Sequence, residues 1–88
     1  MKLIDEFVIT KLSDEYVAVP LNRTEGFQGV VKLNESGAEV FRGLIDGQNE
    51  EQIVQRLQAK YPELDTETAK KAVTQVLDSL KKTGILQA

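Results

Sequence analysis

The sequence predicts an α+β fold in which a three-stranded antiparallel sheet precedes three helices, in the order βββααα. Two observations support this. The first third of the chain is rich in β-branched and aromatic residues that alternate in short runs, which is typical of strands. The remainder has apolar residues at helical spacing and most of the helix-cap residues. Because the chain has 88 residues, we expect it to form one domain (residues 1–88) with a modest core.

Two runs near the N-terminus predict a β-hairpin. Phe7–Leu12 and residues 16–19 are separated by residues 13–15, a polar turn of hairpin length. Pro20 has no amide hydrogen to donate to a sheet, so we expect the second strand to end there.

A short third strand is predicted after a glycine-containing connection at residues 22–29. Because side chains alternate along a strand, Val31 and Leu33 share one face. Val30 and Lys32 share the opposite face. Four residues do not establish which of these faces is buried.

Each of the three helices is predicted from a cap and an apolar stripe. The N-caps are Asn34, Asn49 and either Asp65 or Thr66, and Gln52 is placed to complete a capping box. The stripes are Ala38, Phe41, Leu44 and Ile45, then Ile53, Val54 and Leu57, then Ala69, Ala72, Val73, Val76 and Leu80. Gly47 and Gly84 are expected to end the first and third helices, and Pro62 the second. Gly43 inside the first helix indicates close packing of another element.

Missing residue types argue against catalysis. The chain has no cysteine and no histidine, so it lacks thiol nucleophiles, thiolate metal ligands and the commonest general base. Its acidic pairs lie in turns or helix starts, where a role as solvated caps is the simpler interpretation. Its glycines have neither phosphate-loop nor dinucleotide-binding spacing. We therefore expect no enzymatic activity, no metal site and no cofactor.

The charge of the chain bears on its partners. Its formal net charge is −3, so phosphate backbones and anionic lipid head groups would repel it, and we expect neither nucleic acid nor a membrane surface as partner. Asp5 and Glu6 stand where a signal peptide would need an apolar run. A cytoplasmic location is therefore expected, and the absence of cysteine is compatible with it.

Other function classes stay open from the residues alone. Three helices beside a small sheet resemble a winged helix-turn-helix, so a small DNA-binding regulator is the alternative. Its candidate recognition helix, residues 66–82, has four lysines but no arginine, the usual reader of guanine. A plain dimerisation module is a third interpretation, and the sequence leaves open whether the chain forms a homodimer.

A set of short motifs follows in order through the second part of the chain. It comprises Gly29-Val30-Val31-Lys32-Leu33-Asn34-Glu35-Ser36-Gly37-Ala38, then Phe41, Leu44, Asp46-Gly47, Glu50, Ile53 and Leu57, and finally Leu77, Leu80 and Gly84-Ile85-Leu86. With this ordered set the chain resembles the PqqD family. The family comprises the pyrroloquinoline quinone biosynthesis D proteins and related recognition elements for ribosomally synthesised, post-translationally modified peptides.

The resemblance implies a peptide chaperone, or adaptor, that binds the leader of a precursor peptide. The third strand would accept the leader as an added antiparallel strand, and the third helix would form the opposite wall of the groove. By position, the peptide-binding residues would be Val30, Val31, Lys32 and Leu33 on the strand and Lys70, Thr74, Leu77 and Lys81 along one flank of the helix. A helical wheel does not decide which flank of the helix faces the peptide.

The resemblance also implies a second partner, a peptide-modifying enzyme, most simply a radical S-adenosylmethionine enzyme. The quinone-cofactor proteins have a Pro-Glu pair shortly before the third strand. Here Pro20 is followed by Leu21 and a longer loop through Gly29. This departure favours another peptide-modifying pathway over quinone-cofactor biosynthesis.

Overall fold

The computed structural model describes residues 2–22 and 29–87, and it contains the predicted sheet and helices. The strands are β1 (Lys2–Leu3), β2 (Phe7–Leu12), β3 (Glu15–Pro20), β4 (Val31–Leu33) and β5 (Leu86–Gln87). The helices are α1 (Glu35–Ile45), α2 (Glu50–Lys60) and α3 (Thr66–Lys82). The order βββααα is confirmed for β2 to α3, and β1 pairs with β5 in a small second sheet that the sequence does not predict. Most of the connection predicted at residues 22–29 lies outside the described residues.

The larger sheet has the order β2-β3-β4, and its neighbouring strands are antiparallel. The β2–β3 ladder is unbroken up to Leu12 opposite Glu15, so the hairpin loop is only Ser13 and Asp14. Ser13 has a φ of 54°, the left-handed conformation that two-residue hairpin loops favour. The second predicted strand therefore starts one residue earlier than expected, and it ends at Pro20 as predicted.

α1 packs on one face of this sheet, α2 and α3 pack against α1 and against each other, and the three helices share one core with the sheet. Phe41 of α1 meets Phe7 of β2 edge to face, with ring centroids 5.2 Å apart. Val31 and Leu33 of β4 are half-buried against the same core, whereas Lys32 is exposed. The buried face of the third predicted strand is therefore that of residues 31 and 33.

Local capping sets the N-terminal ends of the helices as the sequence predicts. Asn34, Asn49 and Asp65 each accept a hydrogen bond from the amide three residues further on. The third cap is thus Asp65 and not Thr66. The Asn49 amide also donates to the Gln52 side chain at 2.9 Å, which completes the capping box.

The C-terminal end of α3 is a Schellman cap. Gly84 has a φ of 81°, and its amide donates to the carbonyl of Lys81 at 3.1 Å. The Ile85 amide donates to the carbonyl of Leu80 at 2.9 Å, as this cap requires. Ile85 and Leu86 are buried, so the chain turns back onto the core as predicted.

The predicted apolar stripes are buried or half-buried apart from one residue. Ile45, at the end of α1, is 41% exposed. Leu77 continues the core stripe of α3 one turn after Val73, and it is only 3% exposed. Ala72 and Val76 are half-buried because they lie at the edge of that stripe.

Close packing and ion pairs hold α1 against α2. The close packing predicted at Gly43 is confirmed, since an added Cβ would lie 2.7 Å from Cγ1 of the buried Ile53. Glu39 accepts from Arg56 Nε at 2.6 Å and pairs with Lys60 Nζ at 3.4 Å. Burial by itself would raise the pKa of Glu39, but the hydrogen bonds and charges of Arg56 and Lys60 outweigh it and lower that pKa below its usual 4.5.

Glu39→Gln should lower the free energy of unfolding by about 1–2 kcal/mol near neutral pH, because Arg56 then loses its more buried carboxylate partner and keeps only the exposed Asp46, 2.7 Å away. Since the folded-state pKa of Glu39 is depressed, this stabilisation is complete above the unfolded-state pKa and is lost as pH falls through the folded-state value. Urea unfolding should therefore show a difference in stability between the wild type and Glu39→Gln near pH 7 that shrinks at an acidic pH below the folded-state pKa of Glu39.

The matched control is Glu63→Gln. Glu63 is exposed and has no ion pair within the described part of the chain, so its replacement should change stability little at either pH. A difference between wild type and Glu39→Gln that stays constant on acidification would contradict the role given to the Glu39 carboxylate.

Candidate functional site

β4 is an edge strand that faces a helix across a groove. It pairs with β3 on one side, and no described strand pairs with its other side. The open edge looks onto α3. The groove between them, called the β4–α3 groove below, is lined by Val31, Lys32, Leu33, Asn34 and Gly37 on one side and by Gln75, Val76, Ser79 and Leu80 of α3 on the other.

The hydrogen-bond pattern of the sheet determines which backbone groups of β4 pair with β3 and which point to the open edge. One step beyond the end of the β2–β3 ladder, the Leu21 amide donates to the Glu6 carbonyl at 2.8 Å, so these residues form a hydrogen-bonded pair. Such pairs alternate along an antiparallel ladder. Counting along the ladder, Thr10 and Val17 are also a hydrogen-bonded pair, and the backbone groups of Val17 point towards β2.

The same alternation continues into β4. Because the backbone N–H and C=O of Val17 point towards β2, those of its neighbours Tyr16 and Ala18 point towards β4. There they pair with Leu33 and Val31, respectively. Lys32 lies between these two paired residues, so its N–H and C=O point to the open edge. The backbone of Lys32 is therefore the part of β4 best placed to receive another strand.

The structure brings three of the four predicted strand residues to the groove. Val31, Lys32 and Leu33 line it, whereas Val30 precedes β4 and is 50% exposed. The two apolar side chains face the helices, and the Lys32 side chain lies on the outer face of the sheet.

The structure places the four predicted helix residues away from this groove. Leu77 is buried in the core. Lys70 and Thr74 line a separate depression against α2, where the Thr74 hydroxyl lies 3.4 Å from Glu50 Oε1. Lys81 is exposed and is not among the groove-lining residues. The core stripe of α3 separates this flank from the one that faces β4.

The helix residues that do line the groove include Gln75, Val76 and Ser79, which the sequence does not single out as a site. One feature of the sequence could have indicated them. Val76 and Ala72 are the members of the predicted stripe furthest around the helix from Leu77 and Val73, so an incompletely covered edge of the stripe would be expected beside them.

A second, mostly apolar depression adjoins the groove at Asn34, which borders both. Its other lining residues are Glu35, Ser36, Leu57, Tyr61, Glu63, Leu64 and Ala72. Burial raises the pKa of Tyr61, and the nearby Glu35 carboxylate raises it further. The phenol therefore stays neutral at this edge of the depression.

Neither a metal-binding cluster nor a membrane-spanning helix occurs in the described part of the chain. Within residues 2–22 and 29–87, no three side chains of the metal-binding acidic, histidine or cysteine type are grouped to hold an ion. In the same residues, no helix has the length and apolarity needed to cross a membrane.

Comparison with known proteins gives a family match and two similar structures. The family described as Coenzyme PQQ synthesis protein D (PqqD) matches residues 15–86. TbiB1 in complex with the TbiA(beta) leader peptide has a TM-score of 0.77 at 25% identity, covering 100% of this chain and 96% of that chain. A lasso peptide synthetase B1 complexed with the leader peptide has a TM-score of 0.72 at 22% identity, covering 99% and 96%. The second likeness shows the fold. A comparison with curated proteins gives no match.

Hydrogen exchange can test the assignment of the free backbone groups. The amide of Lys32 should exchange faster than those of Val31 and Leu33, because only the latter two donate to β3. Residue-resolved exchange measured by NMR on the free protein reports all three amides. Protection of the Lys32 amide together with fast exchange of both neighbouring amides would show that Lys32 donates to β3 and that Val31 and Leu33 point to the open edge, the opposite of this assignment.

Proposed function

This chain belongs to the PqqD family, and on that premise we propose that it is a non-catalytic adaptor that binds the leader of a ribosomally made precursor peptide. The observation that carries the proposal is the open edge of β4 across a groove from α3. The likeness of the whole chain to TbiB1, a protein seen in complex with a leader peptide, supports the same class of ligand.

The leader adds to the sheet as a strand antiparallel to β4. The leader residue opposite Lys32 exchanges two backbone hydrogen bonds with it. The leader residues on either side lie opposite Val31 and Leu33, and their side chains enter the groove towards Val76. Backbone pairing gives affinity for an extended peptide, and the two groove positions, separated by one residue, give selectivity for apolar side chains.

The chemical step belongs to a separate enzyme in this proposal. The chain has no histidine and no cysteine, so it lacks the commonest general base and the most reactive nucleophile. The adaptor raises the local concentration of the precursor at the modifying enzyme, which we place in the radical S-adenosylmethionine class on the basis of the family resemblance. We place both proteins in the cytoplasm.

The leader encoded by a short reading frame beside the gene is the ligand for the first test. It should bind saturably to the wild type in a fluorescence anisotropy titration. Val76→Arg should weaken binding about tenfold or more, because it puts a charge into the apolar wall of the groove. Absence of saturable binding to the wild type would contradict the adaptor proposal.

Thr74→Arg is the matched control, since it adds the same side chain on the opposite flank of the same helix. It should leave leader affinity unchanged, as should Lys81→Glu. If these two variants lose binding while Val76→Arg keeps it, the basic flank indicated by the sequence forms the binding wall. Circular dichroism should confirm that each variant is folded.

Proline at residue 32 tests the strand-addition geometry. Lys32→Pro removes the amide that faces the open edge but leaves the β3–β4 hydrogen bonds intact, so the fold should persist while leader binding falls. Lys32→Ala controls for loss of the side chain. Val31→Pro removes a hydrogen bond to β3 and should instead lower the thermal midpoint. Unaltered binding by Lys32→Pro would exclude pairing at this edge.

A further inference from the structure

Lys32 is a cation on the outer face of the sheet, away from the helices. Its direct neighbour across the sheet is Val17 of β3, and Val17 is paired in turn with Thr10 of β2. Residues directly opposite one another in an antiparallel sheet share a face. Neither side chain in this cross-strand row carries a charge that could pair with the Lys32 ammonium.

Among the residues that the structure describes, Lys32 has no ion-pair partner. Some of the other basic side chains are engaged: Lys60 pairs with Glu39 at 3.4 Å, and Lys11 lies over the Tyr16 ring, 5.8 Å from its centroid. The acidic residue closest to Lys32 by register on the outer face is Glu15. It is displaced along β3 by two residues from the residue opposite Lys32, and no ion pair joins the two within the described chain.

We propose that Lys32 selects an acidic residue in the leader, at the position directly opposite itself in the added strand. The inference rests on the proposed strand addition at β4. A leader residue paired with Lys32 shares its face, with about 5.5 Å between the Cα atoms, so an Asp or Glu side chain there reaches the ammonium. The preferred leader segment is therefore apolar, acidic, apolar: the outer two side chains enter the groove and the middle one faces outward.

The two faces of β4 would thus recognise different leader side chains. The half-buried side chains of Val31 and Leu33 recognise apolar groups on the groove side. The exposed Lys32 recognises charge on the solvent side, where both partners remain hydrated and the attraction is modest. An opposite charge directly across a strand pair changes an affinity by up to about fivefold, and a like charge opposes binding by a similar factor.

A position scan of the leader encoded beside the gene tests the inference. Each leader residue is replaced in turn by Asp, Ala and Lys, and the affinity of each peptide is measured by anisotropy. With the wild-type protein, one position should rank Asp above Ala above Lys, with about threefold between steps. With Lys32→Glu the order at that same position should invert, while Lys32→Arg should preserve it.

Lys82→Glu is the charge-matched control, because it makes the same change in net charge at an exposed residue in the last turn of α3. It should leave the order at that position as in the wild type. If the leader binds but no position shows this ranking, or if Lys32→Glu leaves the ranking unchanged, the inference about Lys32 is wrong and the adaptor function stands. If the unaltered leader does not bind, both are wrong.

Discussion

The one-sided pairing of β4 is the constraint on which the proposed site depends. The side chains of Val31 and Leu33 face the core, and their backbone groups form hydrogen bonds with β3. The backbone N–H and C=O of Lys32 are therefore left at the open edge. An exposed edge is a hazard, because any extended chain can pair with it. Here the strand has only three residues and meets the capped start of α1 at Asn34, so the edge is too short for extensive pairing between sheets.

The wall opposite this edge is held by interactions outside the groove. α3 is held in place by its buried core stripe and, at its C-terminal end, by the Schellman cap that returns Ile85 to the core. α1, which follows β4 directly, is tied to α2 by the Glu39 ion pairs and by the close approach at Gly43. A groove whose walls are already ordered loses little conformational entropy on binding, so more of the contact energy is available as affinity.

The features that the sequence predicts well are those set by neighbouring residues. The caps at Asn34 and Asn49 and the glycine at 84 involve only a few consecutive residues, and the structure confirms them. The pairing of β1 with β5 joins two-residue strands from opposite ends of the chain, too short to show any periodicity.

The choice of helix flank needed tertiary information for a related reason. The apolar stripe of α3 has two edges, and the charges of Lys70 and Lys81 favour one of them in the sequence. In the structure α2 lies beside that flank, with Glu50 close to Thr74, and the other flank faces β4. A single helix carries no information about which of its neighbours occupies which side.

The net charge of −3 is a poor guide to how a single charged group of a ligand is recognised. It disfavours long polyanions, but beyond a screening length of about 8 Å it has little effect on one carboxylate paired with Lys32. An acidic chain can therefore prefer an acidic residue in its ligand.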